Sequence, residues 1–472
     1  MRIFVTGQTT LHWGRLENGN IGNYYITEPT FRELHSVFPG AEIVTTLQLT
    51  KAFCERENVS VAPMELFYNW DENDLPNALK ELGIALLYQK TGKIFVTTLF
   101  IDEVIKSDLV IDFSGEMWGY HADLVGKNRF LVGLIKDRVS QLLGKPTVML
   151  AGTQGRFPDP STKKFAKEVF ENFDLVANRE SETEKLLVED GFDVSNLKNY
   201  ACPAFLFEPN KDDEMLSIYQ KEKLDNNNKP KVGFILCGFN FLIGPYDKWP
   251  REDSDYLQFA EAIEHIIHNL NCDVYLMSHS NGFELPPKFK LITGRDFPIV
   301  KQLRDVIEKR GYIDTDSIHL IEGPYNPWET KAIIGKFDMF ISGRLHGSVA
   351  AVSQYVPTVV IMHGHKQKSH KTIGFFDIIG TPECVASPYS SNEMIERNLP
   401  ALLPLIFLFA ALIIPLLGVW FKRATYPITI LTLLFAVVIS FFGFFHVILN
   451  GPINYYFGGW LPPIGIEYVY DY

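Results

Sequence analysis

The chain has 472 residues, 44 Lys+Arg against 56 Asp+Glu, and a formal charge of −12. This length calls for more than one domain, and an acidic balance with no basic footprint excludes a general nucleic-acid binder. Charged residues at 21% and apolar residues at 46% exclude a disordered chain. Two long stretches, 398–421 and 424–466, contain no Asp, Glu, Lys or Arg. The five cysteines, at 54, 202, 237, 272 and 384, are widely spaced and odd in number. That pattern fits neither a disulfide framework nor a zinc site. The N-terminus reads as a first core strand rather than a secretory signal, so a cytoplasmic catalytic region is expected.

In chain order, β-rich runs alternate with helix-like runs. Strands are expected at Arg2–Thr6, Glu42–Thr46, Leu109–Ser114, Thr147–Gly152 and Leu175–Asn178. Helices are expected at Pro29–Val37, Lys163–Phe170 and Glu180–Glu189. Near-continuous apolar strands alternating with helices predict a parallel sheet covered on both faces. Residues 1–207 form this first domain, and the polar, turn-rich stretch 208–230 reads as a linker with a short helical piece. A second α/β domain spans 231–397. Its strands are expected at Val232–Leu236, Asp273–Met277, Ile318–Ile321, Met339–Ile341 and Thr358–Met362, with helices at Tyr256–Asn269, Pro298–Lys309 and Glu329–Ile334. Two doubly wound domains of this kind bind ligands beyond the carboxyl ends of their strands.

Residues 398–472 differ. Leu399–Trp420 and Pro427–Leu449 are each long and apolar enough to cross a bilayer of about 30 Å, with Lys422 and Arg423 between them. A two-helix transmembrane segment is expected, with membrane association through residues 399–449. The basic turn favours one orientation, and the basic residues upstream favour the other.

The densest chemistry lies in Gly343-Arg344-Leu345-His346-Gly347, where an apolar strand gives way to a helix-like run. Arg344 can fork onto a carboxylate or phosphate, and His346 can exchange a proton near neutral pH. The helix N-terminus adds N–H donors, and Gly343 and Gly347 would let a ligand approach the backbone. Asp112-Phe-Ser-Gly-Glu116 follows a strand and would bring Ser114 or Glu116 toward the cleft. Thr153-Gln154-Gly155 also follows a strand and would touch an acceptor through Gln154. Trp118, Tyr120, Tyr325 and Trp328 are candidates for sugar stacking, though such residues are more often core. His363, His365 and His370 share a segment with Lys366, Lys368 and Lys371, whose charge argues against a metal.

The Gly343–Gly347 motif resembles the signature of the polysaccharide pyruvyl transferase family. Further segments resemble it in the same order: Asn20-Ile-Gly-Asn-Tyr-Tyr25, Ala177-Asn-Arg-Glu-Ser-Glu-Thr183, Ala201-Cys-Pro-Ala-Phe205, Val356-Pro357 and the lysine-rich stretch 365–371 before Gly374. Together they cover roughly 1–395. Asn23 and Cys202 stand where the family often has Asp, and Thr183 where Ser is usual. The resemblance implies an α/β fold of two Rossmann-like domains in a GT-B-like arrangement. It implies transfer of the pyruvyl group of phosphoenolpyruvate to sugar hydroxyls of a surface polysaccharide or a lipid-linked precursor, with no cofactor and no metal. In that reading Arg344 and His346 are catalytic. Arg179, Lys368, Lys371, Gly343, Gly347, Gln154 and Asn23 bind substrate. A nucleotide-sugar glycosyltransferase, and a membrane transport or assembly subunit with a non-catalytic binding domain, are the alternatives. The tail from Leu399 resembles the N-terminal part of a proton-antiporter membrane subunit, but it holds no membrane-embedded acid or lysine for a proton relay.

Overall fold

The structure is a computed structural model. It describes all residues except 8–13, 116–117, 120–127, 158, 226–228, 242–248, 285–289, 364–369, 387–413, 415–424, 451–452, 457–466 and 471–472. The chain divides into two compact units, Met1–Pro388 and Tyr389–Tyr472.

The first unit holds two parallel sheets. One is built from β1 (Arg2–Gly7), β2 (Glu42–Thr45), β3 (Val59–Val61), β4 (Leu109–Phe113), β5 (Thr147–Gly152), β6 (Leu175–Asn178) and β7 (Leu197–Asn199). Their order is β3-β2-β1-β4-β5-β6-β7. The second uses β8 (Lys231–Ile235) and β9 (Asp273–Met277), then, after a hairpin of β10 (Asn281–Glu284) and β11 (Lys290–Thr293), β12 (Ile318–Leu320), β13 (Met339–Ser342), β14 (Thr358–Ile361) and β15 (Val385–Ala386). Its order is β12-β9-β8-β13-β14-β15. Each sheet starts in the middle, grows to one edge, then crosses back and grows to the other. This is the Rossmann order, and it opens a crevice between β1 and β4 and another between β8 and β13. Ile3, Phe4 and Val5 are fully buried, as are Ile235 and Phe340, because helices cover both faces of these central strands.

In the first unit the expected strands and helices are all present, with ends shifted by a few residues. The largest difference is the first long helix, which runs Ile21–Val37 and carries Pro29 inside it rather than at its start. Asn20 opens it, its side chain accepting a hydrogen bond from the Gly22 N–H at 3.2 Å. The linker is more ordered than its turn-rich ends suggest. Its helix Asp212–Lys221 buries Met215 and Tyr219, and Asp212 pairs with Lys336 at 2.7 Å.

Among the described residues, several ties join the two sheets. Asn281 N–H donates to the Gly19 carbonyl at 2.8 Å, beside a bridge between Asn20 and Ser280. Ser181 Oγ donates to Asp377 at 2.6 Å, joining the start of the helix Glu182–Glu189 to the helix His370–Ile378. Lys331 Nζ donates to the Phe207 carbonyl, and Tyr25 OH to the Pro327 carbonyl at 3.2 Å. Tyr24, Tyr25, Phe207 and Trp328 pack as one aromatic cluster around this last tie. Trp328 is thus a partly buried residue packed against the core.

In the second unit, a helix spans Thr425–Asn450, and a two-stranded pairing joins Ile453–Tyr456 to Glu467–Tyr470. Nearly all of Leu399–Trp420 lies outside the described residues. Among the described residues no helix is long and apolar enough to cross a membrane. The transmembrane hairpin expected from the sequence is therefore not shown.

Candidate active site

The Arg-Leu-His motif sits where β13 ends and the helix Leu345–Val352 begins. Gly343 N–H donates to the Ile235 carbonyl at 2.7 Å, continuing the pairing of β13 with β8. Ser342 Oγ then turns the chain, donating to the Arg344 carbonyl at 2.7 Å and accepting from its N–H at 3.2 Å. Asn240, which no sequence motif marks, pins three strand ends together. Its amide donates to the carbonyls of Gly343 and Ile361, both at 3.1 Å, and it accepts from Cys237 N–H at 2.9 Å.

The two motif glycines do not make room for a ligand. A Cβ at residue 343 would lie 2.8 Å from the Ile235 carbonyl oxygen, and one at residue 347 would lie 2.6 Å from Ser342 Oγ. Both are small because the helix is pressed onto the sheet.

Arg344 also differs from expectation. Its fork is closed on Asp296, with Nε to Oδ2 at 2.6 Å and Nη2 to Oδ1 at 2.5 Å. The Asp296 side chain is 1% exposed and also accepts from His279 N–H at 3.1 Å. The bidentate face that would take a substrate anion is therefore occupied by the protein. Beside this pair, the imidazole of His279 is fully buried, edge-on to Tyr25. Burial, reinforced by the neighbouring Arg344 charge, pushes His279 down to about 3, so it is neutral at physiological pH.

Five of the expected residues meet in one cleft. Asn23, Arg179, Arg344, His346 and Lys371 line a hollow enclosing about 730 Å3 of space open to solvent, together with Asn20 and His363. It lies between the two sheets, at the carboxyl ends of β6 and β13. His346 rests on the N-terminal turn of the helix Ile21–Val37, directly against Gly22. Arg179 follows β6, is 6% exposed, and its Nε has no hydrogen-bond partner among the described residues. Its neighbour is Cys202, a buried thiol that burial pushes up and that hydrogen-bonds to it. A neutral thiol thus stands beside Arg179 where the family often has a carboxylate.

Next to Arg179, Glu180 is buried and organises the wall. It accepts from Thr153 Oγ1 at 3.0 Å and from Glu182 N–H at 2.8 Å, and burial raises its carboxyl. Gly374 lets the helix His370–Ile378 come close, since a Cβ there would stand 2.7 Å from Glu182 N. That contact brings Lys371 to the cleft rim.

The other expected residues are elsewhere. Gln154 is buried beneath the cleft, its amide against Met149 Sδ at 2.7 Å, and is not a cleft-lining residue. Lys368, Glu116, Tyr120, Lys366 and His365 lie outside the described residues. Asp112 accepts from Ser114 N–H at 2.6 Å and from the Trp118 indole at 2.9 Å, so Trp118 is a core residue. The carboxyls of Asp112 and Asp137 hydrogen-bond to each other; burial and mutual repulsion raise Asp137 well above the carboxylate range. Tyr325 OH bonds to Glu222, and Lys221 reaches it at 3.0 Å.

The fold and cleft define a two-domain Rossmann-type α/β protein with cations and imidazoles gathered between its sheets. The family model described as polysaccharide pyruvyl transferase matches residues 20–365, more than half of the chain, and the protein belongs to that family. The match ends before the tail and does not bear on its antiporter resemblance. Similar solved structures include a UDP-GlcNAc 2-epimerase from Methanocaldococcus jannaschii (12% identity, TM-score 0.47, 82% of this chain and 88% of that one). A glycosyltransferase from Rickettsia africae ESF-5 is similar at 11% identity and TM-score 0.44, over 81% of this chain and 90% of that one. Anabaena Alr3699/HepE in complex with UDP is similar at 12% identity and TM-score 0.43, over 77% and 81%. Likenesses of this size carry no argument about donor or acceptor.

Proposed function

We propose that this protein transfers the pyruvyl group of phosphoenolpyruvate to two hydroxyls of a sugar in a surface polysaccharide or its precursor. The products are a pyruvate ketal and inorganic phosphate. The observation that carries this reading, beside membership of the family, is the convergence of Arg179, Lys371 and His346 in one cleft. Phosphoenolpyruvate brings a carboxylate and a phosphate, and an acidic chain needs such a local cluster of cations to hold it.

In this mechanism Arg179 and Lys371 hold the donor's anionic groups. His346 delivers a proton to the terminal enol carbon. One sugar hydroxyl forms a bond to the central carbon, the bond from that carbon to the phosphate oxygen breaks, and the second hydroxyl closes the ketal. Of the two hydroxyl protons, one replaces the proton given by His346 and the other leaves with phosphate. Arg344, neutralised by Asp296, is a positioning residue that fixes the strand end carrying His346. Attachment to a membrane through residues 399–449 belongs to the same proposal; Leu431, Phe435 and Val438 on the tail helix are exposed and favour an apolar surrounding.

The test is calorimetric titration of phosphoenolpyruvate into the full chain and its Arg179→Gln variant, with phosphate release measured in the presence of acceptor. Binding that Arg179→Gln weakens at least about tenfold supports the reading. A folded protein that ignores phosphoenolpyruvate but binds a sugar nucleotide overturns it.

A further inference from the structure

The helix Ile21–Val37 borders two hollows of opposite character. Asn23 and Ile26 line the polar cleft. Farther along the helix, Thr30, Leu34 and Val37 line an open groove of about 830 Å3. Steps of three and four residues put all five on one stripe, so the hollows follow each other along a single helix face. The groove's other walls include Leu150, Ala177 and Leu206. Val37 and Leu206 keep 65% and 50% of their surface exposed. Glu33 is the carboxylate on this lining; it is exposed at the rim and lies 3.5 Å from Arg32, which also pairs with Glu28 at 2.8 Å.

Arg179 lines both hollows. It is nine-tenths buried, and its Nε lacks a partner among the described residues. Among the described residues no carboxylate pairs with it and its side-chain neighbour is the Cys202 thiol, and a buried cation so placed is costly unless an anion arrives with a ligand. A planar fork of five donors can face anions on two sides. Apolar walls on the other side of the same guanidinium favour a hydrocarbon chain.

We propose that the groove binds the hydrocarbon chain of a lipid phosphate that carries the acceptor sugar, with the lipid's phosphate against Arg179 and the sugar reaching into the cleft. This rests on the acceptor being a sugar, as proposed above. It gives Arg179 a second role, the junction between the reacting end and the lipid end of one acceptor.

The test uses farnesyl phosphate as a short, soluble lipid phosphate, titrated against the full chain beside inorganic phosphate and phosphoenolpyruvate. Wild-type protein is expected to bind farnesyl phosphate at least about tenfold more tightly than inorganic phosphate, through burial of the chain. Leu206→Glu and Val37→Glu, both at exposed positions, are expected to remove most of that advantage while leaving phosphoenolpyruvate affinity within about twofold. Equal affinities for farnesyl phosphate and inorganic phosphate overturn the proposal. So does an advantage that persists in both variants, which would locate the chain elsewhere, the apolar tail included. Failure of phosphoenolpyruvate alone to bind overturns the donor assignment and leaves the groove standing.

Discussion

The imidazole of His346 fills the space over Gly22. A side-chain carbon at residue 22 would stand 2.5 Å from His346 Cβ and 2.6 Å from its Cγ. Because His346 Cβ is close to its own backbone, the ring cannot swing clear without moving the helix or the strand end. Alanine at residue 22 gains about 0.5–1 kcal/mol of helix propensity, too little to offset such an overlap. We expect Gly22→Ala to lower kcat by about 100-fold with a much smaller change in KM for phosphoenolpyruvate. Steady-state phosphate release measures both, and an unchanged kcat would remove His346 from the chemistry.

In the proposed mechanism Arg179 binds the donor and Arg344 holds the architecture. Arg344→Ala leaves Asp296 buried at 1% exposure without its partner, and is expected to cost about 3–5 kcal/mol in urea denaturation. Among the described residues Arg179 has no carboxylate to leave behind, so Arg179→Gln is expected not to destabilise the protein while weakening donor binding. A stability loss in Arg179→Gln as large as in Arg344→Ala would contradict this division.

Lys331 makes the tie behind the cleft pH-dependent. Its ammonium is buried against the carbonyls of Phe207 and Ala204, and burial lowers it to about 8 from 10.5. The unfolded chain therefore binds the extra proton between about pH 8 and 10.5, and stability gained from this group rises with pH across that window. The gain is at most about 3 kcal/mol for a shift of this size, and Lys331→Met should abolish it. Denaturation of both proteins at pH 7.5 and 10 gives the difference directly. Parallel curves would mean that Lys331 is not the titrating group.

Asp137 shows the opposite slope. Held protonated beside Asp112 in the folded state, it binds a proton that the unfolded chain has released above about pH 4. Its contribution to stability therefore falls as pH rises from that point. Asn at residue 137 keeps a hydrogen-bond donor toward Asp112 and needs no proton. Asp137→Asn is expected to stabilise the protein by about 1–3 kcal/mol at pH 7 and by less at pH 4.5. An advantage that does not grow with pH would show that the pair does not share a proton.

The central strands were legible because Ile3–Val5 and Val232–Ile235 are buried on both faces and read as apolar runs. The edge strands β3, β7 and β15 were not, since two or three residues give no period to detect. Pro29 misplaced the start of the first long helix, because proline is commoner at a helix start than inside it. Arg344 and His346 stood out through local spacing. Their partners did not. Asp296 lies 48 residues before Arg344, and Gly22 is in the other half of the unit; only the fold brings either to the motif. The same holds for Arg179, whose unpartnered Nε depends on which residues face it, and for the lining of the apolar groove.

Because Gly22 and His346 sit in helices of different halves, neither half of this unit would carry the whole of the proposed reaction centre. Exchange of the second half for that of another enzyme of the same architecture would set a foreign side chain against Gly22. Loss of that glycine in the first half would spoil any His346 that followed. The two halves are bound to change together, whereas the groove's walls Pro29, Leu34, Leu150, Ala177 and Leu206 all come from one half, so on the proposal above acceptor preference can change there alone.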